Sequence, residues 1–270
     1  MKSFLQVENL SKSFGDKVLF SDVTFGIYEG DKIGLIAKNG AGKTTLLRIV
    51  AGAEAYDSGE VTYRNGLRVA YLAQLPELDG QLPVADACMS LGGEAVEAVR
   101  EYEAATASGD SARLERAMQR MDASGGWTYE DRMRQVLTQL KISDLSQRVG
   151  ELSGGQQKRV ALAKVILDEP ELLILDEPTN HLDIDMIEWL EDYLSRSRVA
   201  LLMVTHDRYF LDKVCSKILE IDERKIYAYE GNYDYYLAKR EERISAQNAE
   251  LLRVKNLLRT ELEWMRRQPQ

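Results

Sequence analysis

The run Ala37-Lys38-Asn39-Gly40-Ala41-Gly42-Lys43-Thr44-Thr45 has the residue types and spacing to cradle a polyphosphate. Small residues let successive backbone N–H groups face an anion at a helix N-terminus, Lys43 reaches β- and γ-phosphate oxygens, and the Thr44 hydroxyl ligates Mg2+. One position departs from GxxxxGKT: the first glycine is Ala37, and a positive φ there would carry strain that glycine avoids. Further along, LLILDEP at Leu172 to Pro178 delivers two adjacent carboxylates to the end of an apolar strand. Asp176 is expected to hold the Mg2+, directly or through water, and Glu177 to polarise the attacking water. An isolated Asp-Glu pair reads as an acidic turn; downstream of a phosphate loop it reads as the metal and base positions of a nucleotide hydrolase. A third segment, Leu152-Ser153-Gly154-Gly155-Gln156, opens the helical run QKRVALAKVIL and offers another anion-binding N-terminus. A match to five specified residues of this kind arises by chance in roughly one chain in several thousand, so it outweighs the more common G-K-T.

These segments need strands and helices to aim them. FLQVENL, VLFSDVTFGI and KIGLIA are short β-type runs separated by turns at Gly15-Asp16 and Glu29-Gly30-Asp31, an antiparallel-rich sheet feeding one buried strand from Lys32 to Ile36. TTLLRIVAG then suits a helix ended by Gly52, completing the strand, loop and helix that a phosphate loop requires. From Pro76 to about Lys141 the chain becomes a charged helical insertion broken at Gly92-Gly93, Gly109 and Gly125-Gly126, with thirteen acidic against eight basic residues between Glu77 and Arg148. Apolar runs at Leu172 to Leu175 and Ala200 to Val204, flanked by helical stretches, restore an α/β pattern. Past Asn232, Leu237, Ile244, Leu251, Leu258 and Met265 recur every seven residues along one seam of a long helix, beside a mixed seam of Glu241, Asn248, Lys255 and Leu262. Between Lys239 and Arg267 eight basic residues face five acidic ones, and the sequence ends in RRQPQ without a closing element, as expected of a segment of a longer protein.

The chain has 270 residues, a net charge of -9 and 44% apolar residues, enough for a sizeable core. The acidic balance excludes a surface that binds nucleic acid or anionic membrane throughout, although a local basic patch is compatible with it. Cys88 and Cys215 lie outside any CxxC or Cys/His cluster, so neither a disulfide framework nor structural zinc is expected. No h-region and no run near twenty apolar residues is present, and a cytoplasmic protein is expected.

With the LSGGQ segment the chain resembles an ATP-binding-cassette (ABC) ATPase over most of residues 1 to 230. The resemblance implies an α/β P-loop NTPase fold of the ABC nucleotide-binding type, with an antiparallel β subdomain, an inserted helical subdomain and a C-terminal linker helix. It implies ATP and Mg2+ as cofactors. It also implies that Ser153, Gly154, Gly155 and Gln156 act in trans, closing over nucleotide held by another cassette. Phe14, 29 residues before Lys43, matches the aromatic that stacks on adenine, with a place in the core of the first sheet as the alternative. Gln74 in RVAYLAQ matches the Q-loop residue that senses Mg2+ and the γ-phosphate. His206 in LLMVTHDRYFLD matches the switch histidine, and Asp183 the D-loop that crosses to the partner; His181 receives no chemistry.

DEPTNHLD at Asp176 to Asp183, THDRYFLD at Thr205 to Asp212 and EGNYDYYLAKREER at Glu230 to Arg243 resemble the ABC-F branch of tandem cassettes without transmembrane partners. The modest insertion and KNGAGKT look most like Uup-type bacterial members. Residues 1–232 are then one cassette, with a helical subdomain and short arm within about 76–150, and residues 233–270 begin an interdomain linker. A second cassette lies elsewhere in the full-length protein, and these residues alone are expected to turn over ATP weakly. The resemblance implies that ATP-driven closure gates binding to a ribosome or another RNA or DNA partner. Alternatives are a DNA-associated Uup-like ATPase, the ATPase subunit of a membrane transporter, and a clamp that binds ATP but scarcely hydrolyses it.

Overall fold

The computed structural model describes the backbone of residues 2–89 and 93–267 and side chains up to residue 259. The expected break at Gly92, the seam side chains Leu262 and Met265, and the end at 268–270 lie outside the described residues. In chain order, strands β1 (Ser3–Phe14), β2 (Lys17–Tyr28) and β3 (Lys32–Ala37) lead into helix α1 (Lys43–Val50), followed by β4 (Ser58–Tyr63) and β5 (Val69–Leu72). Helices α2 (Val84–Cys88), α3 (Glu94–Ser108), α4 (Ser111–Ser124) and α5 (Gly126–Gln139) form the insertion. After a 3-10 turn at Val149–Glu151 come α6 (Gly154–Leu167), β6 (Leu172–Asp176), α7 (Ile184–Arg196), β7 (Ala200–Val204), α8 (Arg208–Val214), β8 (Lys217–Asp222), β9 (Lys225–Glu230) and α9 (Tyr233–Arg267).

Two sheets result. β2-β1-β4 is antiparallel, and β5-β6-β7-β3-β8-β9 is parallel except for the β8–β9 hairpin at its edge. Every residue of β6 and β7 is buried, because helices or a second sheet cover both faces of a parallel sheet and alternation is lost. One core lies between the sheets, where Leu5, Phe20 and Ile27 meet Leu46 and Leu47 of α1 and Leu202 of β7. The other lies beneath α6, α7 and α8, on Leu173, Leu175, Leu201 and Met203. β3 sits between β7 and β8, so the carboxyl ends of β6, β7 and β3 are neighbours, the place where open α/β sheets carry their sites.

In the insertion α3 and α4 turn back on each other at Gly109-Asp110, where the Asp110 carboxylate caps α4 by accepting from Ala112 and Arg113 N–H. Trp127 of α5 packs edge-on against Tyr102 of α3, with ring centres 4.9 Å apart. Asn232 accepts from the Tyr235 N–H at the start of α9. Past Ile244 every described residue of α9 is exposed; on the heptad seam Leu237, Leu251 and Leu258 are 42%, 67% and 54% exposed, and Ile244 is half-buried.

Asp168 closes α6, and burial pushes its carboxyl up to about 6, with Lys164 pulling the other way. A carboxyl raised on folding favours the fold below its unfolded value near 3.8 and costs stability as pH rises towards 6. Asp168→Asn is therefore expected to stabilise the chain by on the order of 1 kcal/mol at pH 8, solvent screening at this half-buried position taking up the rest, and by little at pH 4. Urea midpoints of both proteins at the two pH values measure this; an equal difference at both would show that Asp168 titrates normally.

Candidate active site

Gly42 is the N-cap of α1 with φ 98°, a left-handed conformation that an L side chain adopts only under strain, and a Cβ there would press to 3.1 Å from Leu19 of β2. Gly40, at φ 74°, makes the other reversal of the loop. Ala37 is the last residue of β3, paired with Ile221 of β8 and in negative φ, so replacing the motif's first glycine carries none of the anticipated strain. Lys43 folds back over the loop, its Nζ donating to the Ala37 carbonyl at 3.0 Å. Burial lowers its pKa, and the carboxylates of Glu177 and Asp176 raise it.

Around this loop lies a cavity of about 570 Å3. Phe14, Asn39, Gly40, Gly42, Lys43, Thr44, Thr45, Gln74, Asp176, Glu177 and His206, all singled out in the sequence, line it together. Lys38 and Ala41 belong to the loop but not to the lining. Phe14 ends β1 at 53% exposure, which removes the core alternative; the Lys12 ammonium lies over its ring at 4.9 Å from the centroid. Ser153, Gly154, Gly155 and Gln156 lie outside the lining. They form a capping box at the start of α6, with the Gln156 N–H donating to Ser153 Oγ at 3.3 Å and the Ser153 N–H donating to Gln156 Oε1 at 2.9 Å. Asp183, from the same sequence reading, caps α7 through the Met186 N–H at 3.1 Å and pairs with Lys141 at 2.5 Å.

Asp176 is 1% exposed and Glu177 5%, at the end of β6. Burial pushes the Asp176 carboxyl above its ordinary value, and the Thr44 hydroxyl with the ammonium groups of Lys158 and Lys43 offsets part of this. Its Oδ2 is buried without a hydrogen-bond partner. An orphaned carboxylate oxygen beside the Thr44 hydroxyl fits a hard cation with oxygen ligands. Among the described residues no group of three His, Cys, Asp or Glu gathers as a metal cage.

Glu177 has φ 52°, a conformation costing on the order of 1–3 kcal/mol outside glycine. Its N–H donates to the Val204 carbonyl at 2.8 Å, its Oε2 accepts from the His206 N–H at 3.3 Å, and its Oε1 lies 3.3 Å from His206 Nε2. Burial raises the Glu177 carboxyl, against the pull of His206, the direction that would suit a general base. His206 follows β7 with its side chain 71% exposed, turned towards the opening.

Sequence reasoning missed Lys17 and Asn180, which also line the cavity, and Lys158 beneath it. The signal for Lys158 was its place on the face of α6 shared by Ala161, Leu162 and Val165, where a lysine is buried and must find a partner.

A family described as ABC transporter matches residues 20–180, and a second, also described as ABC transporter, matches residues 219–270. The chain is 44% identical, over 98% of its length and 43% of the relative's, to "Uncharacterized ABC transporter ATP-binding protein YfmR" of Bacillus subtilis. It is 38% identical to "Energy-dependent translational throttle protein EttA" of Mycobacterium tuberculosis, over 96% of the chain and 48% of the relative. It is also 36% identical to "ABC transporter F family member 5" of Arabidopsis thaliana, over 92% of the chain and 38% of the relative. The chain thus spans somewhat under half the length of these relatives. In fold it is similar to "Structure of ATP binding subunit of ABC transporter", with TM-score 0.64, 24% identity and coverage of 86% of this chain and 90% of that one. With the family match covering residues 20–180 of 270, the chain belongs to the ABC transporter ATPases, and ABC-F members stand among its relatives.

Proposed function

We propose that residues 1–232 form one cassette of a cytoplasmic tandem ABC-F protein, that residues 233–270 begin its linker, and that MgATP binding and hydrolysis gate its association with the ribosome. The observation that carries the catalytic part is the convergence of Lys43, Thr44, Asp176, Glu177 and His206 on one cavity. Phe14 offers an exposed ring face to a purine, the loop amides and Lys43 take the phosphates, and Thr44 and Asp176, with Gln74 alongside, hold Mg2+. Mg2+ supplies neutralisation of phosphate charge. Glu177 accepts the proton of the attacking water, and His206 holds the Glu177 carboxylate and offers a donor at the γ-phosphate side. The site is half-built within one chain: Ser153 to Gln156 open α6 away from the cavity, a disposition suited to another cassette's nucleotide.

The gating role rests on relatives, one named as a translational throttle and others as ABC-F members. Among the described residues no helix is long and apolar enough to cross a membrane. The full-length protein is expected to co-sediment with ribosomes when ATP is held unhydrolysed and to be released on turnover. Co-fractionation with membranes instead would favour a transporter subunit, and nucleotide-dependent retention on duplex DNA alone would favour the Uup-like reading.

A further inference from the structure

We propose that Lys158 is a positioning residue for hydrolysis, fixing the Glu177 backbone by a hydrogen bond to its carbonyl so that the carboxylate is held against His206. Lys158 is 4% exposed, and its Nζ donates to the Glu177 carbonyl oxygen at 2.7 Å, a buried contact. The other restraint on that carbonyl is long, 3.4 Å from the Asn180 N–H, and both carboxylate contacts to His206 are 3.3 Å. Glu177 is therefore held firmly at two points only, its N–H on Val204 at 2.8 Å and its carbonyl on Lys158. Between them lies the φ of 52°, which a glutamate keeps only when its surroundings impose it. Without the lysine the carbonyl loses its one short donor, the peptide can relax towards negative φ, and the side chain swings from its place.

Lys158 does not line the cavity; it touches the Glu177 carbonyl directly, and its ammonium acts on the Asp176 carboxylate by charge alone. It also stands early on the helix opened by Ser153 to Gln156, which gives that loop a rigid path to the glutamate. This inference rests on Glu177 as the water activator.

The test uses the full-length protein, with nucleotide affinity and steady-state turnover measured separately. Lys158→Met is expected to keep ATP affinity within about threefold and to lower kcat at least about tenfold. In a Glu177→Gln background the same change is expected to alter residual turnover less than about twofold, because a residue acting through a group already removed has no more to lose. Folded Lys158→Met with unaltered kcat, or an equal fall in both backgrounds, would overturn the proposal. Should Lys158→Met not accumulate as folded protein, Lys158→Gln, too short to reach the carbonyl, is judged by the same two comparisons. Full turnover by Glu177→Gln itself would instead remove the reading beneath it, whereas an inactive Glu177→Gln beside a fast Lys158→Met removes this inference alone.

Discussion

Glu177→Gln is expected to bind MgATP as the unaltered protein does and to lose turnover by about 10^2 to 10^4, the range attributable to a general base. The amide is isosteric and its oxygen still reaches the His206 N–H, so the pocket keeps its shape; what disappears is the carboxylate proposed to take a proton from water. Lys43, Thr44 and Asp176, to which the proposed function assigns the binding, are untouched. In the full-length protein the variant should therefore accumulate as an ATP-bound closed pair, visible as a compact species by small-angle scattering. Because burial raises the Glu177 carboxyl, the acid limb of the kcat profile of the unaltered protein should lie above the ordinary glutamate range. Turnover of Glu177→Gln at the normal rate would remove Glu177 from its role.

The parts of this site that sequence disclosed share one property: each is a contiguous run whose own neighbours supply the context. The phosphate loop lies between an apolar strand and a helix, Asp176-Glu177 ends a fully apolar strand, and His206 follows another. What brings them together, the order β6-β7-β3, is a long-range pairing that no local pattern states. Lys158 escaped for the same reason, since its partner is a carbonyl on another element. The β8–β9 hairpin escaped for a different one. Its two-residue turn is Glu223-Arg224, with φ 49° and 67°, the primed geometry that matches strand twist. Primed turns are recognised by Asn-Gly or Asp-Gly, and neither residue here advertises positive φ. The long helix was legible from its heptads, but its docking was not, because the residues that fasten it are polar and lie on three separate elements.

That docking gives the largest stability effect outside the site. Glu220 of β8 is 3% exposed, and its carboxylate accepts from Arg240 Nε at 2.5 Å, Arg243 Nη2 at 2.8 Å, Tyr236 OH at 3.1 Å and Tyr229 OH at 3.2 Å. Arg243 also pairs with Asp222 at 3.0 Å and lies over the Tyr227 ring at 3.8 Å from its centroid. One carboxylate thus satisfies four donors, two of them cations drawn partly out of water. Glu220→Ala leaves all four without it and is expected to cost about 3–5 kcal/mol, the penalty of breaking a buried charge cluster from one side. Tyr236→Phe removes one neutral donor and should cost about 1 kcal/mol. The two effects are separable by denaturant unfolding, and in Glu220→Ala amide exchange should accelerate across Tyr233 to Arg243 before it does in β8. Glu220 pairs with Ile36 of β3, the strand that carries the phosphate loop, yet β3 is also held by β7 along its other edge. Nucleotide affinity of Glu220→Ala should therefore change less than about threefold. If affinity instead falls in step with stability, the helix anchor and the nucleotide site are one cooperative unit, and α9 belongs to the cassette's own fold and not to a linker that merely rests on it.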